Sequence, residues 1–156
     1  MSVFDSLMDA VRAAIAALDP PLEGATVAVR KVPVVTEGDP LPLVTITPGA
    51  DRLEPAGGEA DFAYLGFYPV LVSYFVQSAG LLATDGATLR DWRDRVKKAV
   101  MHWAVWAPAA VFDSADVAVD EVEYAGRPPF DRSTLAKGTD VSAQLFTIRT
   151  TEGIES

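Results

Sequence analysis

The residue types that most often carry catalysis or bind metal ions are scarce in this chain. His102 is its only histidine, and cysteine is absent. Nucleophilic catalysis needs a base beside the nucleophile, and zinc sites are built largely from cysteine and histidine. His102 has no such partner at useful spacing, and it lies about 100° from the apolar stripe of its predicted helix. We therefore expect His102 to be a surface residue, and we predict no catalytic site and no metal site.

The carboxylates and glycines also lack the patterns that chemistry requires. Asp113 and Asp116 have the residue types of a glycosidase pair, but a chain with 22 acidic residues contains such pairs by chance. The acidic residues do not have the spacing of a calcium-binding loop. Gly57-Gly58 precedes no predicted helix, and the phosphate-loop patterns GxxxxGK[ST] and GxGxxG do not occur. The sequence predicts that the protein is not an enzyme and binds no cofactor.

Length and composition predict a single domain over residues 1–156. Hydrophobic residues make up 49% of the chain, which is enough for a core at this length. The longest apolar runs are far shorter than the roughly 18 residues of a membrane span, and Asp5 and Asp9 interrupt the first of them, so neither a membrane span nor a signal peptide is predicted. The formal net charge is −9. That sign argues against nucleic acid as a bound ligand, because phosphate affinity depends on Lys and Arg.

Two segments have the apolar spacing of amphipathic helices. The first begins at a candidate capping pair, Ser2 and Asp5, and stops at the prolines that follow Asp19. Its apolar stripe is Phe4, Leu7, Met8, Val11, Ile15 and Leu18. The second is predicted to begin at the pair Thr88 and Asp91 and to end at Pro108. Its stripe is Leu89, Trp92, Val96, Val100 and Trp103, and Trp106, near the helix end, could be exposed.

Five segments are predicted to be strands. Residues 25–35 and 41–47 flank the turn residues 36–40, so a hairpin is predicted there. Residues 68–77 are apolar on both alternating faces, which is typical of a central strand. The last two strands are predicted at 116–124 and 141–151.

The order of these elements, α-β-β-β-α-β-β, predicts the fold class. It indicates an α+β protein in which two amphipathic helices pack on one face of a largely antiparallel β-sheet. Long loops are predicted at about 50–65 and 125–138, and loops of this length are often functional.

Two charged segments are candidates for contacts between copies of the chain. A basic flank of the second helix is formed by Arg90, Arg93 and Lys97. The strand at 116–124 is acidic and carries Asp116, Asp120, Glu121 and Glu123. A solvated helix face is the simpler interpretation of the basic flank. The sharper interpretation is that it contacts the acidic strand of a neighbouring copy.

Several segments, taken in their order, resemble a known protein family. They are the leading helix, the segment VAVRKVPVVTEGDPLPLVTITPG, the strand YPVLVSYFV, the helix LRDWRDRVKKAV and the closing DVSAQLFTIRT. Together they resemble the tail-terminator or tail-completion proteins, neck proteins of long-tailed phages. The resemblance covers most of the chain and rests on architecture, without a diagnostic motif.

This resemblance implies a structural role. It implies a ring, expected to be a hexamer, at the head-proximal end of the tail, where the ring ends tube polymerisation and joins the tail to the head. The implied partners are other copies of the chain, the tail-tube protein and head–tail connector proteins. The implied location is the neck of a virion, after synthesis in the host cytoplasm. DNA would pass through the ring without specific binding.

The loop at 50–65 has two interpretations within such a ring. It is rich in acidic residues, namely Asp51, Glu54, Glu59 and Asp61. These carboxylates could line a DNA channel, where Lys and Arg would bind phosphate and slow transit. Alternatively, the loop could grip the tail tube or a neck partner and become ordered on contact.

Two other functions remain open from the sequence. The first is a head-side connector or stopper protein of the same neck. The second belongs to another class, a small-molecule-binding α/β module that would use the apolar helix–sheet interface as its pocket. The sequence does not fix the ring size or the ring face that meets the tube.

Overall fold

A computed structural model describes residues 2–36, 38–56, 63–77, 86–112, 116–125 and 139–153. Its helices are α1 (Val3–Ala16), α2 (Gly86–Met101) and α3 (Trp103–Trp106), followed by a 3₁₀ turn (Ala107–Ala109). Its strands are β1 (Thr26–Val29), β2 (Leu43–Pro48), β3 (Arg52–Pro55), β4 (Ala63–Gln77), β5 (Val117–Ala125) and β6 (Thr139–Gly153). The six strands form one mixed, mostly antiparallel sheet, and the helices pack against it through a shared core, which confirms the predicted α+β fold class.

Helix α1 begins and packs as its sequence predicts. The Ser2 hydroxyl accepts a hydrogen bond from the backbone N–H of Asp5 at 3.1 Å and donates one to the Asp5 carboxylate at 2.7 Å. This reciprocal capping satisfies a helix-end donor that would otherwise lack a partner. Leu7, Val11 and Ile15 are buried against the sheet.

Helix α2 begins two residues before Thr88 and buries four of the five predicted stripe residues, Leu89, Trp92, Val96 and Val100. The fifth, Trp103, lies beyond the end of α2 and is only partly buried, so the prediction of one continuous helix through it is wrong. The chain leaves the helix at His102, which is exposed as predicted, and then forms α3. Trp106 is only 4% exposed, and its indole N–H donates to the carbonyl of Val100 at 2.8 Å. The prediction that Trp106 could be exposed is therefore wrong. The helix breaks at His102, and the Trp106 side chain turns back toward the end of α2.

Strand β4 is central, as predicted. The strand order is β1-β2-β4-β6-β5, and β3 pairs with β4 farther along the edge that β2 occupies. The even-numbered residues of β4 from Tyr68 to Tyr74 face the helices and belong to the core. We call this side the helix face and the other side the opposite face.

None of the helices in the described part of the chain is long and apolar enough to cross a membrane.

The predicted hairpin over residues 25–47 is wrong. Strand β1 pairs with β2 in parallel, from Thr26 beside Leu43 to Val29 beside Ile46. Parallel neighbours require a connection that returns to the starting end of the first strand. The connecting residues include Pro33, Pro40 and Pro42, which have no backbone N–H for a strand ladder. Residues 30–42 therefore leave the sheet and return, instead of folding directly back.

A charged pair closes this connection. The Arg30 guanidinium donates to both carboxylate oxygens of Asp39, at 2.8 and 2.7 Å, and Asp39 also accepts from the backbone N–H of Thr36 at 2.8 Å. These hydrogen bonds, with Arg30 as the largest contributor, hold the pKa of Asp39 well below its ordinary value of 3.8. The turn predicted near residues 36–40 is thus built around Asp39.

We expect Asp39→Asn to destabilise the protein at pH 7 and to have a smaller effect in acid. Because the folded-state pKa of Asp39 is depressed, its contribution is complete above the unfolded value near 3.8 and is lost as pH falls from there through the folded value. Urea unfolding of the wild type and the variant at pH 7 and pH 3 measures the difference. An equal difference in free energy of unfolding at both pH values would contradict a role for the ionised carboxylate.

The predicted loop at 50–65 contains part of the sheet, so its description as a loop throughout is wrong. The N–H of Gly49 donates to the carbonyl of Pro69 at 2.8 Å, and three residues later β3 begins on the same edge of β4. Strand β3 has four residues, too few to show a period of two in the sequence. Residues 57–62 and 126–138, the latter including nearly all of the second predicted loop, lie outside the described residues.

Candidate functional site

The predicted acidic strand is an outer edge of the sheet. Asp120, Glu121 and Glu123 of β5 are exposed, as is Asp116 just before it. Glu121 pairs with Arg149 of β6 at 2.8 Å. Asp120, at a bulge in β5, accepts from the hydroxyl of Thr151 at 2.5 Å. Glu121 and Asp120 contact side chains of β6 and are still exposed to solvent, so they are accessible to a neighbouring protein.

The predicted basic flank is largely occupied within the protomer. The Arg93 guanidinium donates to the Ser142 hydroxyl and, at 3.1 Å, to the carbonyl of Ala143. The Lys97 ammonium lies 4.6 Å from the centroid of the Tyr124 ring, which is a cation–π contact. Arg90 is exposed. Arg93 and Lys97 hold α2 on β5 and β6, so a role for this flank between copies remains only a prediction.

A buried polar network beneath α2 was not predicted from the sequence. The Tyr74 hydroxyl donates to Gln144 at 2.5 Å, and the Gln144 amide donates to the backbone carbonyl of Arg93 at 3.0 Å and to the Tyr124 hydroxyl at 3.3 Å. Burial raises the pKa of Tyr74, so its hydroxyl stays protonated and can donate. Gln144 could have indicated this network. It lies two residues from the apolar Phe146, and alternate residues of a strand share a face, so a polar side chain is expected in the core there.

A second cluster lies at the end of the sheet where β3 pairs, which we call the β3 end. The Tyr68 hydroxyl and the Thr150 hydroxyl both donate to Glu152, at 2.6 and 2.8 Å. Burial, and then the Glu152 carboxylate, raise the pKa of Tyr68. A Cβ atom at Gly66 would overlap Thr150 and Glu152 and would lie 2.6 Å from the Tyr68 ring. This cluster therefore depends on a residue without a side chain at position 66.

The opposite face of the β3 end carries two arginines around one aromatic ring. The guanidinium of Arg52 lies 4.1 Å from the centroid of Phe67, and that of Arg149 lies 5.6 Å from it. A cavity of about 480 Å³ opens beside them. Arg52 also pairs with Glu54 at 3.4 Å. With their charges balanced by Glu54 and Glu121, these arginines form a mixed surface and not a phosphate-binding patch.

The candidate channel loop is described only in part. Asp51 is exposed and lines a cavity of about 390 Å³ at the start of α1. Glu54 lies on β3, so it belongs to the sheet edge and not to a projecting loop. Glu59 and Asp61 lie outside the described residues. The structure therefore brings two of the four predicted carboxylates to one edge of the sheet.

An apolar groove lies on the helix face beside the start of β5. Its volume is about 360 Å³, and it is lined by Trp103, Ala104, Ala107, Pro108, Phe112, Val117, Ala118 and Val119. Val105 and Val111 nearby in sequence are 68% and 72% exposed. Exposed apolar side chains around a groove are typical of a protein-contact surface. The sequence did not predict this groove, because it forms only when α3 packs near β5.

The described residues were not found to cluster into a metal site. No group of three or more His, Asp or Glu residues within the described ranges could hold a metal ion. The helix–sheet interface, which the small-molecule alternative requires as a pocket, is filled by buried side chains such as Val72, Val96 and Phe146. The accessible features are instead sheet edges, a groove and charged surface strands.

Among solved structures, the chain has a likeness in fold. No protein-family model matches the chain, and no curated protein matches it either. A chain in the solved structure titled "Virion of native gene transfer agent (GTA) particle" matches with a TM-score of 0.54. The alignment covers 96% of this chain and 95% of that chain. The two chains share a fold. Their sequence identity is 16%, so the likeness lies in the architecture.

Proposed function

We propose that this chain is a structural protein of a phage-like virion that forms a ring, most simply a hexamer, at the head-proximal end of the tail. There it ends tube polymerisation and joins the tail to the head. The observation that carries the proposal is the likeness to a chain of a virion particle over nearly the full length of both chains. Because the whole fold is shared, the likeness is not confined to a common supersecondary motif.

The surface supports an assembly role. The edge strands β3 and β5 are accessible, the acidic residues of β5 face outward, and an apolar groove opens beside them. The formal charge of −9 per copy suits a ring through which DNA passes without binding, because an acidic wall offers phosphate no Lys or Arg partners. The proposed partners are other copies, the tail-tube protein and head–tail connector proteins.

Deleting the gene in the strain that makes the particle tests this function. Without a terminator the same tube contacts can repeat indefinitely, so we expect overlong tubes and few tails joined to heads in electron micrographs. Expression of the wild-type chain from a plasmid is the control and should restore tail length. The mass of the purified assembly, with particle images, gives the number of copies.

The same experiment separates the alternative position in the neck. Tails of normal length together with heads that lose their DNA would assign the chain to the head-side connector or stopper. Normal particles that contain none of this chain by mass spectrometry would reject both positions.

A further inference from the structure

At the β3 end, the part of the sheet that the structure describes has four strands, in the order β3-β4-β6-β5. One row across it consists of Leu53, Gly66, Thr150 and Val119. Both outer strands are accessible, and all four residues of β3 are exposed. An exposed edge strand presents unpaired N–H and C=O groups on which another strand can pair.

The directions of these strands make the two edges complementary. Each neighbouring pair is antiparallel, so β3 and β5 run in opposite directions. The N–H of Ala56 donates to Ala63, and the N–H of Gly153 donates to Asp116. Inward and outward groups alternate along an antiparallel strand, so the backbone groups of Leu53 and of Val119 point outward. A second copy in the same orientation can therefore place its β3 beside β5 and continue the antiparallel sheet.

We infer that β3 of one copy pairs with β5 of the next, with Leu53 opposite Val119, and that this contact is the seam of the ring. The inference rests on the proposed function, because it assigns the contact by which the proposed ring would close. The two edges lie on opposite sides of one protomer, so the contact is head-to-tail. Such contacts generate closed rings when the rotation between copies permits.

The side chains on the helix face fit this pairing. Leu53 is paired with Gly66, and Gly66 lies on the same face of β4 as Tyr68, two residues further along. Tyr68 belongs to the core, so Leu53 points to the helix face. It is 54% exposed in the protomer. Across the proposed seam it would meet the groove that Val117 and Val119 line. An exposed leucine would thereby cover an exposed groove.

The charges on the opposite face also fit. The row next to that of Leu53 and Val119 consists of Arg52, Phe67, Arg149 and Glu121. Across the seam, Arg52 of one copy would therefore approach Glu121 of its neighbour. Pairing β5 with a second β5 would instead bring Asp120, Glu121 and Glu123 toward their own equivalents, and like charges on facing strands are destabilising. The charges therefore favour the head-to-tail contact over a symmetric dimer through β5.

A disulfide trap tests the seam directly. Directly opposed strand residues have Cα atoms about 5.5 Å apart, within the range that a disulfide can span. The chain has no native cysteine, so Leu53→Cys combined with Val119→Cys introduces the only thiols. Particles carrying this double variant are oxidised and run on a non-reducing gel. We expect a ladder of covalent multimers up to the full ring, while each single variant migrates as a monomer.

A matched double variant controls for random collision. Val29 is also exposed, but it lies on β1, toward the same lateral edge of the sheet as β3 and away from β5. Leu53→Cys combined with Val29→Cys should therefore give no ladder. A ladder of equal strength from this control, or no ladder from the test variant in particles whose images show a ring, would overturn the seam and leave the proposed function standing. Absence of the chain from the particles would overturn both.

Discussion

Val96→Asp is expected to lower the free energy of unfolding by about 5 kcal/mol, because it loses the burial of a valine and leaves an unpaired charge in the core. Val96 is 0% exposed and lies on the apolar stripe of α2. It belongs to the buried core cluster together with apolar side chains such as Leu89, Val100 and Phe146. A loss of this size is a large part of the total stability of a typical domain.

Thermal and urea unfolding of the purified protein measure this effect. The melting temperature should fall by roughly 10–20 °C for a domain of this size, or the variant should not fold. Arg90→Asp on the exposed side of the same helix is the control and should change the free energy of unfolding by less than about 0.5 kcal/mol. Equal melting temperatures for the two variants would mean that α2 does not pack on the sheet through this stripe.

Gly66→Ala is expected to destabilise the protein by about 3 kcal/mol, which is large for the addition of one methyl group. The added Cβ overlaps the hydroxyl of Thr150 and the carboxylate of Glu152, and it crowds the ring of Tyr68. These groups are hydrogen-bonded to one another, so none can move away without breaking the cluster. The reason is lack of space and not an unusual backbone conformation, since the positive-φ glycine in the described chain is Gly24.

Two further variants show whether steric overlap is the cause. Gly38→Ala is the matched control, since a Cβ there meets no atom within 4 Å. It should leave the stability nearly unchanged. Thr150→Ala added to Gly66→Ala removes one of the overlapping atoms and should recover part of the lost stability. If Gly66→Ala melts at the same temperature as Gly38→Ala, the side chains of Thr150, Glu152 and Tyr68 do not lie as close to position 66 as described.

The helices could be predicted because their signal is local. Leu7, Val11 and Ile15 repeat at helical spacing, and the same spacing buries Leu89, Val96 and Val100. The direction of β1 could not be predicted in the same way. Pairing of Thr26 with Leu43 depends on how residues 30–42 leave the sheet, and an alternating pattern is the same for either strand direction. The burial of Trp106 could not be predicted either, because the helix break at His102 has no strong sequence marker.

The interaction surfaces were predicted in part. The acidic residues of β5 are exposed: Glu121 and Glu123 alternate with the buried Val122, whereas Asp120 is exposed at the bulge, which an alternating pattern does not predict. Arg93 and Lys97 do lie on one side of α2, but their long side chains reach Ala143 and Tyr124, which are distant in sequence. Residue spacing along a helix cannot reveal such a contact. Likewise, Arg52 and Glu121 share a row only because β4 and β6 lie between them.

The pairing of β4 with β6 has a consequence for how the chain folds. These two strands match over all 15 residues of each, and their partners are about 60 to 90 residues apart in sequence, so the central ladder has high contact order and should form slowly. Until β6 arrives, β4 has a long unpaired edge with apolar residues on both sides, which favours aggregation of the incomplete chain. Slow synthesis at low temperature should therefore raise the yield of soluble protein, and any truncation that removes β6 should abolish folding.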